Sequence, residues 1–253
     1  MTIDELAIKN NTDKSSLDHN YTRYYQIYFD KYVKDPKKIL ELGIYSLSHP
    51  PRIDSAGASL KTWSDYFPTA DIIGLDIIDY SNLNEHTSYP RIKTMACNGE
   101  LRSKEEFNQI TNPWLRELYL REEMVGGLIG LNEVIDCFGN NYDIIIDDGP
   151  HTMSSQQKFL GFMFRNLKSG GVFVSEDLHT SYSKNIDKTG KLQYNSFPYT
   201  EKTTLWMFQN YLNTKKIDSD FMTEDEIKYL ENNISEIYIE KGKNSEIVFI
   251  IKK

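Results

Sequence analysis

Acidic side chains and one histidine follow two short apolar runs of the chain, YDIIID and VFVS. The first run ends at Asp147, Asp148 follows it directly, and His151 comes three residues after Asp148. Glu176 and Asp177 follow the second run. Carboxylates that crowd together repel each other unless a proton or a cation lies between them, and Mg²⁺ is the simplest hard cation with oxygen ligands. The pattern therefore predicts a divalent-metal site, although Asp and Glu at such positions also cap the following helices.

A second pair of strand-like runs carries residues suited to a nucleoside. The run KILELG contains Glu41 and Gly43, and the run DIIGLD ends at Asp76. Glycine lets the backbone approach a ligand closely, and an acid at the end of the second strand can accept hydrogen bonds from ribose hydroxyls. The full G-x-G-x-x-G pattern of pyrophosphate cofactors is absent, because positions 45 and 48 are tyrosine and serine. The pattern favours S-adenosylmethionine over NAD, and an ordinary turn after each strand is the alternative.

These residues need a scaffold that brings strand ends together, and the alternation of apolar runs with helical segments predicts one. Continuous apolar strands separated by helices are typical of an α/β fold, a mostly parallel, doubly wound Rossmann-like sheet with helices on both faces. Two last strands, near 234–240 and 245–251, predict an antiparallel hairpin at the C-terminal edge. Ligands bind at the carboxyl ends of the strands in such sheets, so the acidic residues are expected at one rim.

The chain divides by composition into two parts. Residues 1–37 are predicted to form a helical, tyrosine-rich segment. Residues 38–253 are predicted to form the sheet domain, with an inserted helical segment at about 99–141 and a lid at about 178–200. The chain contains 17 tyrosines, and four of them share one helical face, where packing is the expected role: Tyr21, Tyr24, Tyr25 and Tyr28.

Composition argues against several classes of protein. The net charge is −8, from 29 basic and 37 acidic residues, which is opposite to the balance of nucleic-acid binders. No apolar run approaches the roughly 18 residues of a membrane span, and the start MTIDELAIKN lacks the features of a signal peptide. Two cysteines are too few for a disulfide scaffold. A soluble cytoplasmic protein is expected, without nucleic acid or a membrane span, and a homo-oligomer is compatible with these features.

Three segments together resemble a known family: YDIIIDDGPH, GGVFVSEDLHTSY and SLKTWSDYFPTADIIGLDI. They are similar to the metal-dependent class I O-methyltransferases of the macrolide-sugar type, related to demethylmacrocin O-methyltransferase. The resemblance runs from about Lys38 to Tyr182. The N-terminal Thr12-Asp13-Lys14, with His19 and Tyr21 after it, also resembles openings of bacterial sugar and capsular polysaccharide methyltransferases.

The resemblance implies an enzyme that uses S-adenosylmethionine and Mg²⁺, or another divalent cation such as Mn²⁺. It implies metal ligation by Asp148, Glu176 and Asp177. It implies that His151 is the general base, since the Asp-x-x-His spacing matches the Asp-x-x-Lys of catechol-type O-methyltransferases. The implied cofactor contacts are Glu41, Gly43, Ser59, Asp76, Asn98 and Asp147.

The acceptor is expected to be a sugar, or a group linked to a sugar, of a larger glycoside. The polar and aromatic 178–200 segment follows the metal motif, and its rings would stack on a sugar face. The candidate acceptor contacts are His179 and Tyr182. A chain rich in Lys, Ile and Asn favours bacterial surface or capsular polysaccharide biosynthesis, including an O-methyl phosphoramidate decoration. A natural-product glycoside is the alternative.

Two functions from other classes remain open. A metal-dependent hydrolase could use the same carboxylate cluster and would not need Glu41 or Asp76. A catalytically silent interaction subunit could also have this fold. A missing metal-site residue would favour the silent subunit, and none of Asp148, His151, Glu176 and Asp177 is missing.

Overall fold

A computed structural model of the chain describes residues 1–44, 56–81, 83, 88–122, 124–181 and 202–253. Tyr182 and most of the 178–200 segment, which the sequence analysis assigns to the acceptor, lie outside the described residues. The account of the fold below concerns the described part alone.

Seven strands form one sheet in the described part of the chain, in the order β3-β2-β1-β4-β5-β7-β6. Their bounds are β1 Lys38–Leu42, β2 Asp71–Asp76, β3 Ile92–Ala96, β4 Tyr142–Asp147, β5 Leu167–Ser175, β6 Ile234–Lys241 and β7 Glu246–Lys252. Strands β1 to β5 are parallel to one another. Strand β7 pairs antiparallel with β5 and with β6, so the terminal hairpin extends the sheet. The predicted fold class is therefore confirmed.

Helices cover both faces of the sheet. Their bounds are α1 Ile3–Asn10, α2 Thr22–Tyr32, α3 Ala58–Tyr66, α4 Pro113–Tyr119, α5 Leu131–Phe138, α6 Met153–Met163, α7 Thr204–Thr214 and α8 Glu224–Asn233. Successive strand residues point to opposite faces, so Ile144 packs with α1, α2 and α3 while Ile145 packs with α5 to α8. Both faces are buried in consequence, which explains the unbroken apolar runs in the sequence.

The N-terminal segment packs into one of these two layers. Tyr25 of α2 contacts Trp63 of α3 and Phe249 of β7, with ring centroids 5.0 and 5.5 Å apart. Helix α1 packs on α2 and α3. The loop between α1 and α2 therefore lies at the carboxyl ends of the central strands, where Lys14 contacts Asp148. No helix among the described residues is long and apolar enough to cross a membrane.

The inserted segment between β3 and β4 is joined to α8 by a partly buried ion pair. Arg102 Nε and Nη2 each lie 2.7 Å from an oxygen of Glu226, which is 4% exposed. A second ion pair on the same helix joins Arg165 to Asp225, again at 2.7 Å, and there Asp225 is largely exposed. The two pairs differ in burial and in contacts, because Arg102 also bonds Glu106 and the carbonyl oxygen of Phe221.

We expect Arg102→Leu to lower the free energy of unfolding by about 3–5 kcal/mol, because it leaves the buried Glu226 without its cation. Arg165→Leu should cost less than about 1 kcal/mol, since water already solvates Asp225. Urea denaturation followed by circular dichroism measures both values. Equal losses in the two variants would contradict the role given to burial.

Candidate active site

The carboxyl ends of the central strands meet at one edge of the sheet. Asp147 at the end of β4 is paired with both Leu42 of β1 and Ser175 of β5. Asp148 N donates to Leu42 O at 2.9 Å, and Glu176 N donates to Asp147 O at 2.9 Å. The parallel register thus brings the residues that follow β1, β4 and β5 to the same level of the edge.

A lysine lies between three of the carboxylates at this edge. The side chain of Lys14 is 2% exposed, and its Nζ lies 2.9 Å from Glu176 Oε2 and 3.5 Å from Glu41 Oε1. It also donates a hydrogen bond to Asp148 Oδ2. Burial lowers the pKa of Lys14, but the three carboxylates raise it well above its ordinary value, so the ammonium stays charged. Lys14 was named in the sequence analysis only as part of the N-terminal motif.

Two tyrosines of the N-terminal segment also reach the site. Tyr25 donates its hydroxyl hydrogen bond to Glu176 Oε1, and Tyr21 donates to Asp177 Oδ1 at 2.6 Å. Both rings are fully buried, so the expected packing role is correct but incomplete for these two residues. The other two tyrosines of this helical face, Tyr24 and Tyr28, donate to acceptors on β6. The spacing of the four tyrosines indicates that they share one face of the helix. It does not indicate which acceptor each hydroxyl reaches.

Asp148, His151 and Asp177 form a group suited to a metal ion. Each offers one ligand atom, and these atoms all lie within 4.8 Å of one another. His151 Nε2 lies 3.6 Å from Asp177 Oδ2 and 3.8 Å from Asp148 Oδ1. Carboxylate oxygens are common ligands of Mg²⁺ and Mn²⁺, so Asp148 and Asp177 fit such an ion, and the imidazole of His151 lies beside them. Glu176, the remaining predicted ligand, lies beside the group with its oxygens on Lys14 and Tyr25.

Three histidines face the carboxylate of Asp177. Besides His151, His19 Nδ1 lies 3.5 Å and His179 Nδ1 lies 3.9 Å from Asp177 Oδ1. Burial raises the pKa of Asp177, but His151, His19 and the hydrogen bond from Tyr21 outweigh it and keep that pKa below its ordinary value. Burial lowers the pKa of His179. The candidate acceptor residue His179 therefore lies on the same side of the site as the metal group.

The backbone is held in uncommon conformations at this edge. His151 and Asp177 have positive φ angles of 55° and 54°, which side chains other than glycine rarely adopt. Such conformations are kept where the surrounding structure determines them, and they are frequent at active sites. Gly43 has a φ of +83°, and a Cβ there would lie 1.9 Å from the carbonyl oxygen of Asp148. Only glycine lets the loops after β1 and β4 come this close.

A second group of polar side chains lies at the ends of β1 and β4. Trp63 Nε1 donates to Glu41 Oε2 at 2.8 Å, and the hydroxyl of Ser59 also bonds Glu41. Asp147 Oδ2 is buried and accepts no hydrogen bond from the described residues. Burial raises the pKa of Glu41 and that of Asp147 to about 7. Buried acceptors of this kind fit a polar ligand that supplies the missing donors.

The two remaining predicted cofactor residues are buried and support loops of the same edge. Asp76 accepts hydrogen bonds from the backbone nitrogens of Ile44 and Ile78, both at 3.1 Å. Asn98 donates to Gly127 O at 3.3 Å, and its own side-chain oxygen accepts from Glu100 N at 3.0 Å. The structure thus brings all six predicted cofactor residues to the edge formed by β1 to β4.

No family model matches the chain, but curated proteins are similar to it. A tetracenomycin 3'-O-methyltransferase of Streptomyces olivaceus, which acts on a 2-methoxy-α-L-rhamnosyl derivative, is 32% identical over 177 residues, 70% of this chain. Mycinamicin VI 2''-O-methyltransferase of Micromonospora griseorubida is 27% identical, and demethylmacrocin O-methyltransferase of Streptomyces fradiae is 29% identical, each over 71% of this chain. The chain spans 37% of the length of each of these relatives.

A solved structure extends the similarity to the whole chain. It is the MycE methyltransferase of the mycinamycin biosynthetic pathway in complex with Mg, SAH and mycinamycin VI, which superposes with a TM-score of 0.66. The identity is 22%, and the match covers 100% of this chain and 54% of that one. The chain has a Rossmann-like methyltransferase fold. The residues predicted to bind metal and cofactor lie at the carboxyl edge of that fold, where ligands of open α/β sheets bind.

We expect Gly43→Ala to destabilise the fold by more than the free-energy cost of placing alanine at a positive φ angle. Gly170 provides the control, because it has a φ of +75° and a Cβ there would meet nothing within 4 Å. Gly170→Ala should cost about 1–2 kcal/mol for the left-handed backbone. Gly43→Ala should cost about 1–3 kcal/mol more, because its Cβ overlaps backbone atoms. Urea denaturation of both variants measures the difference, and similar losses would show that the loops after β1 and β4 separate freely.

Proposed function

We propose that the chain is an S-adenosylmethionine-dependent, divalent-metal-assisted O-methyltransferase that acts on a sugar hydroxyl. The observation that carries the proposal is the group of Asp148, His151 and Asp177 beside buried carboxylates at the ligand-binding edge of a methyltransferase fold. The relatives support it independently, because all three named above are O-methyltransferases.

The residues divide into a cofactor side and a metal side. Glu41, Ser59, Asp76, Asn98 and Asp147, with the backbone at Gly43, would bind S-adenosylmethionine, which supplies the methyl group. Asp148 and Asp177 would hold the cation, with Glu176 beside them. A divalent cation there would supply positive charge that lowers the pKa of an acceptor hydroxyl.

His151 would accept the proton that the acceptor hydroxyl loses. Its Nε2 lies between Asp148 and Asp177, within 4 Å of both carboxylates, and imidazole is the most common general base in enzymes. The rigid sheet edge beneath both groups would hold the acceptor oxygen and the methyl group in line, so positioning would contribute much of the rate.

The relatives favour a natural-product glycoside as the acceptor. Their names give a rhamnosyl tetracenomycin, mycinamicin VI and demethylmacrocin as the molecules modified, and none of them gives a capsular polysaccharide. The natural-product alternative of the sequence analysis is therefore better supported than the capsular acceptor that composition favoured. We infer an acceptor hydroxyl on a sugar attached to a larger aglycone, with His179 among its contacts and with Tyr182 as a further candidate.

The two functions of other classes receive less support. A hydrolase would have no use for the buried acceptors Glu41 and Asp147 at the ends of β1 and β4. A silent subunit would not need the metal group, and Asp148, His151 and Asp177 remain within ligand distance of one another.

We expect His151→Ala to lose methyl transfer by about 10²–10⁴-fold, the usual contribution of a positioned general base. The variant should still bind S-adenosylhomocysteine with wild-type affinity, because the predicted cofactor residues are unchanged. Transfer of labelled methyl groups to rhamnosyl tetracenomycin and mycinamicin VI measures the first value, and calorimetry measures the second. Full activity of the variant would exclude His151 as the base.

EDTA should abolish methyl transfer, because without the metal the acceptor hydroxyl lacks the positive charge that favours its ionisation. Added Mg²⁺ or Mn²⁺ should restore the activity. The control is the affinity for S-adenosylhomocysteine, which we expect to change much less than turnover on metal removal. Activity that is indifferent to both EDTA and Mg²⁺ would exclude the metal from the reaction.

A further inference from the structure

One cation of the protein itself lies inside the carboxylate cluster. Lys14 Nζ contacts Glu41 at the end of β1, Asp148 after β4 and Glu176 after β5. These partners are 27, 134 and 162 residues away in the sequence, and the Lys14 side chain is almost wholly buried. Burial of an ammonium with three carboxylates costs desolvation free energy, since each ion loses its hydration and must be compensated by the others.

The contacts divide the carboxylate oxygens between two cations. Lys14 takes Oδ2 of Asp148, whereas Oδ1 of the same residue faces His151 on the metal side. Lys14 and Tyr25 together take both oxygens of Glu176. Asp148 therefore belongs to the Lys14 group and to the metal group at once. Of the three metal ligands that the sequence analysis implies, Lys14 contacts Asp148 and Glu176.

Two positive charges that share the same carboxylates oppose each other. The Lys14 ammonium contacts one oxygen of Asp148, so it lies within a few ångströms of any divalent cation bound by the other oxygen. At that range the repulsion between two cations in a protein interior is large. The same ammonium lowers the repulsion among the carboxylates when no divalent cation is bound. Lys14 thus has opposite effects on the two states of the site.

We propose that Lys14 is a resident counter-ion, which stabilises the acidic site before a divalent cation binds and lowers the affinity of the site for that cation. The proposal rests on the metal site of the proposed function. It concerns positioning and affinity rather than chemistry, because the contacts of Lys14 Nζ among the described residues are to carboxylates.

The test is Mn²⁺ binding to the full chain, measured by isothermal calorimetry in wild type and in Lys14→Met. The charge is lost and most of the side-chain volume is kept, so we expect Mn²⁺ to bind the variant at least about tenfold more tightly. The variant should also unfold at a lower temperature in EDTA, and Mn²⁺ should raise its midpoint more than that of wild type. If Lys14 instead helped to build the metal site, the variant would bind Mn²⁺ more weakly.

Three further variants isolate the charge. Lys9→Met removes an exposed lysine of the same segment, which pairs with Asp65, and should leave Mn²⁺ affinity unchanged. Tyr25→Phe removes a hydrogen bond to Glu176 without changing the charge and should not tighten binding. Lys14→Arg keeps the charge and should bind Mn²⁺ close to the wild-type affinity, whereas tightening like that of Lys14→Met would overturn the proposal.

The outcomes separate this inference from the function on which it rests. If wild type binds Mn²⁺ and Lys14→Met binds it equally or less tightly, the counter-ion role alone is overturned. If Mn²⁺ binds to neither protein, both the metal site and the role of Lys14 are overturned. Circular dichroism follows the case in which Lys14→Met is unfolded in EDTA. Folding of the variant on addition of Mn²⁺ supports the inference, and a variant that stays unfolded at saturating Mn²⁺ overturns it.

Discussion

The crowding of negative charge at one edge of the sheet is the constraint on which the site depends. Parallel register brings Glu41, Asp147, Asp148, Glu176 and Asp177 to the ends of three adjacent strands. Buried carboxylates are stable only when cations, protons or hydrogen-bond donors compensate them. The described residues supply such partners from one side, through Lys14, Tyr21 and Tyr25. On the other side they leave a group of ligand atoms that fits a divalent cation.

The N-terminal segment provides most of these partners, so it acts as part of the site as well as part of the core. Helix α2 packs its aromatic rings against Trp63 and Phe249, and this packing places the hydroxyls of Tyr21 and Tyr25 above the strand ends. The loop before α2 carries Lys14 and His19 to the same carboxylates. The abundance of tyrosine in this segment therefore has two causes: the ring fills the layer over the sheet, and the hydroxyl satisfies a buried acid.

Neighbouring residues at the end of β4 serve different parts of the site. Asp147 ends the strand and is fully buried with an unsatisfied oxygen, whereas Asp148 follows it and shares its two oxygens between Lys14 and the side of His151. Successive side chains at a strand end point to opposite sides, so one Asp-Asp pair can take part in both a cofactor pocket and a metal group. The close approach of Gly43 to the backbone of Asp148 holds the loops after β1 and β4 together at this point.

The fold class, and the edge of the sheet at which the acidic residues lie, follow from local patterns in the sequence. Apolar runs such as KILEL and YDIIID indicate a buried parallel sheet. The residues after such strands lie at the carboxyl edge of the sheet, so Asp148, His151, Glu176 and Asp177 could be named from local patterns. Composition could not decide the acceptor, because the balance of Lys, Ile and Asn over a chain says nothing about the shape of a pocket. Which partners the carboxylates take depends on how distant segments pack together. No local pattern relates Lys14 to Asp148 or Glu176, more than 130 residues away. Their contact exists only because α1 packs on α2 and α3, and α2 packs on the sheet, which brings residue 14 to the strand ends.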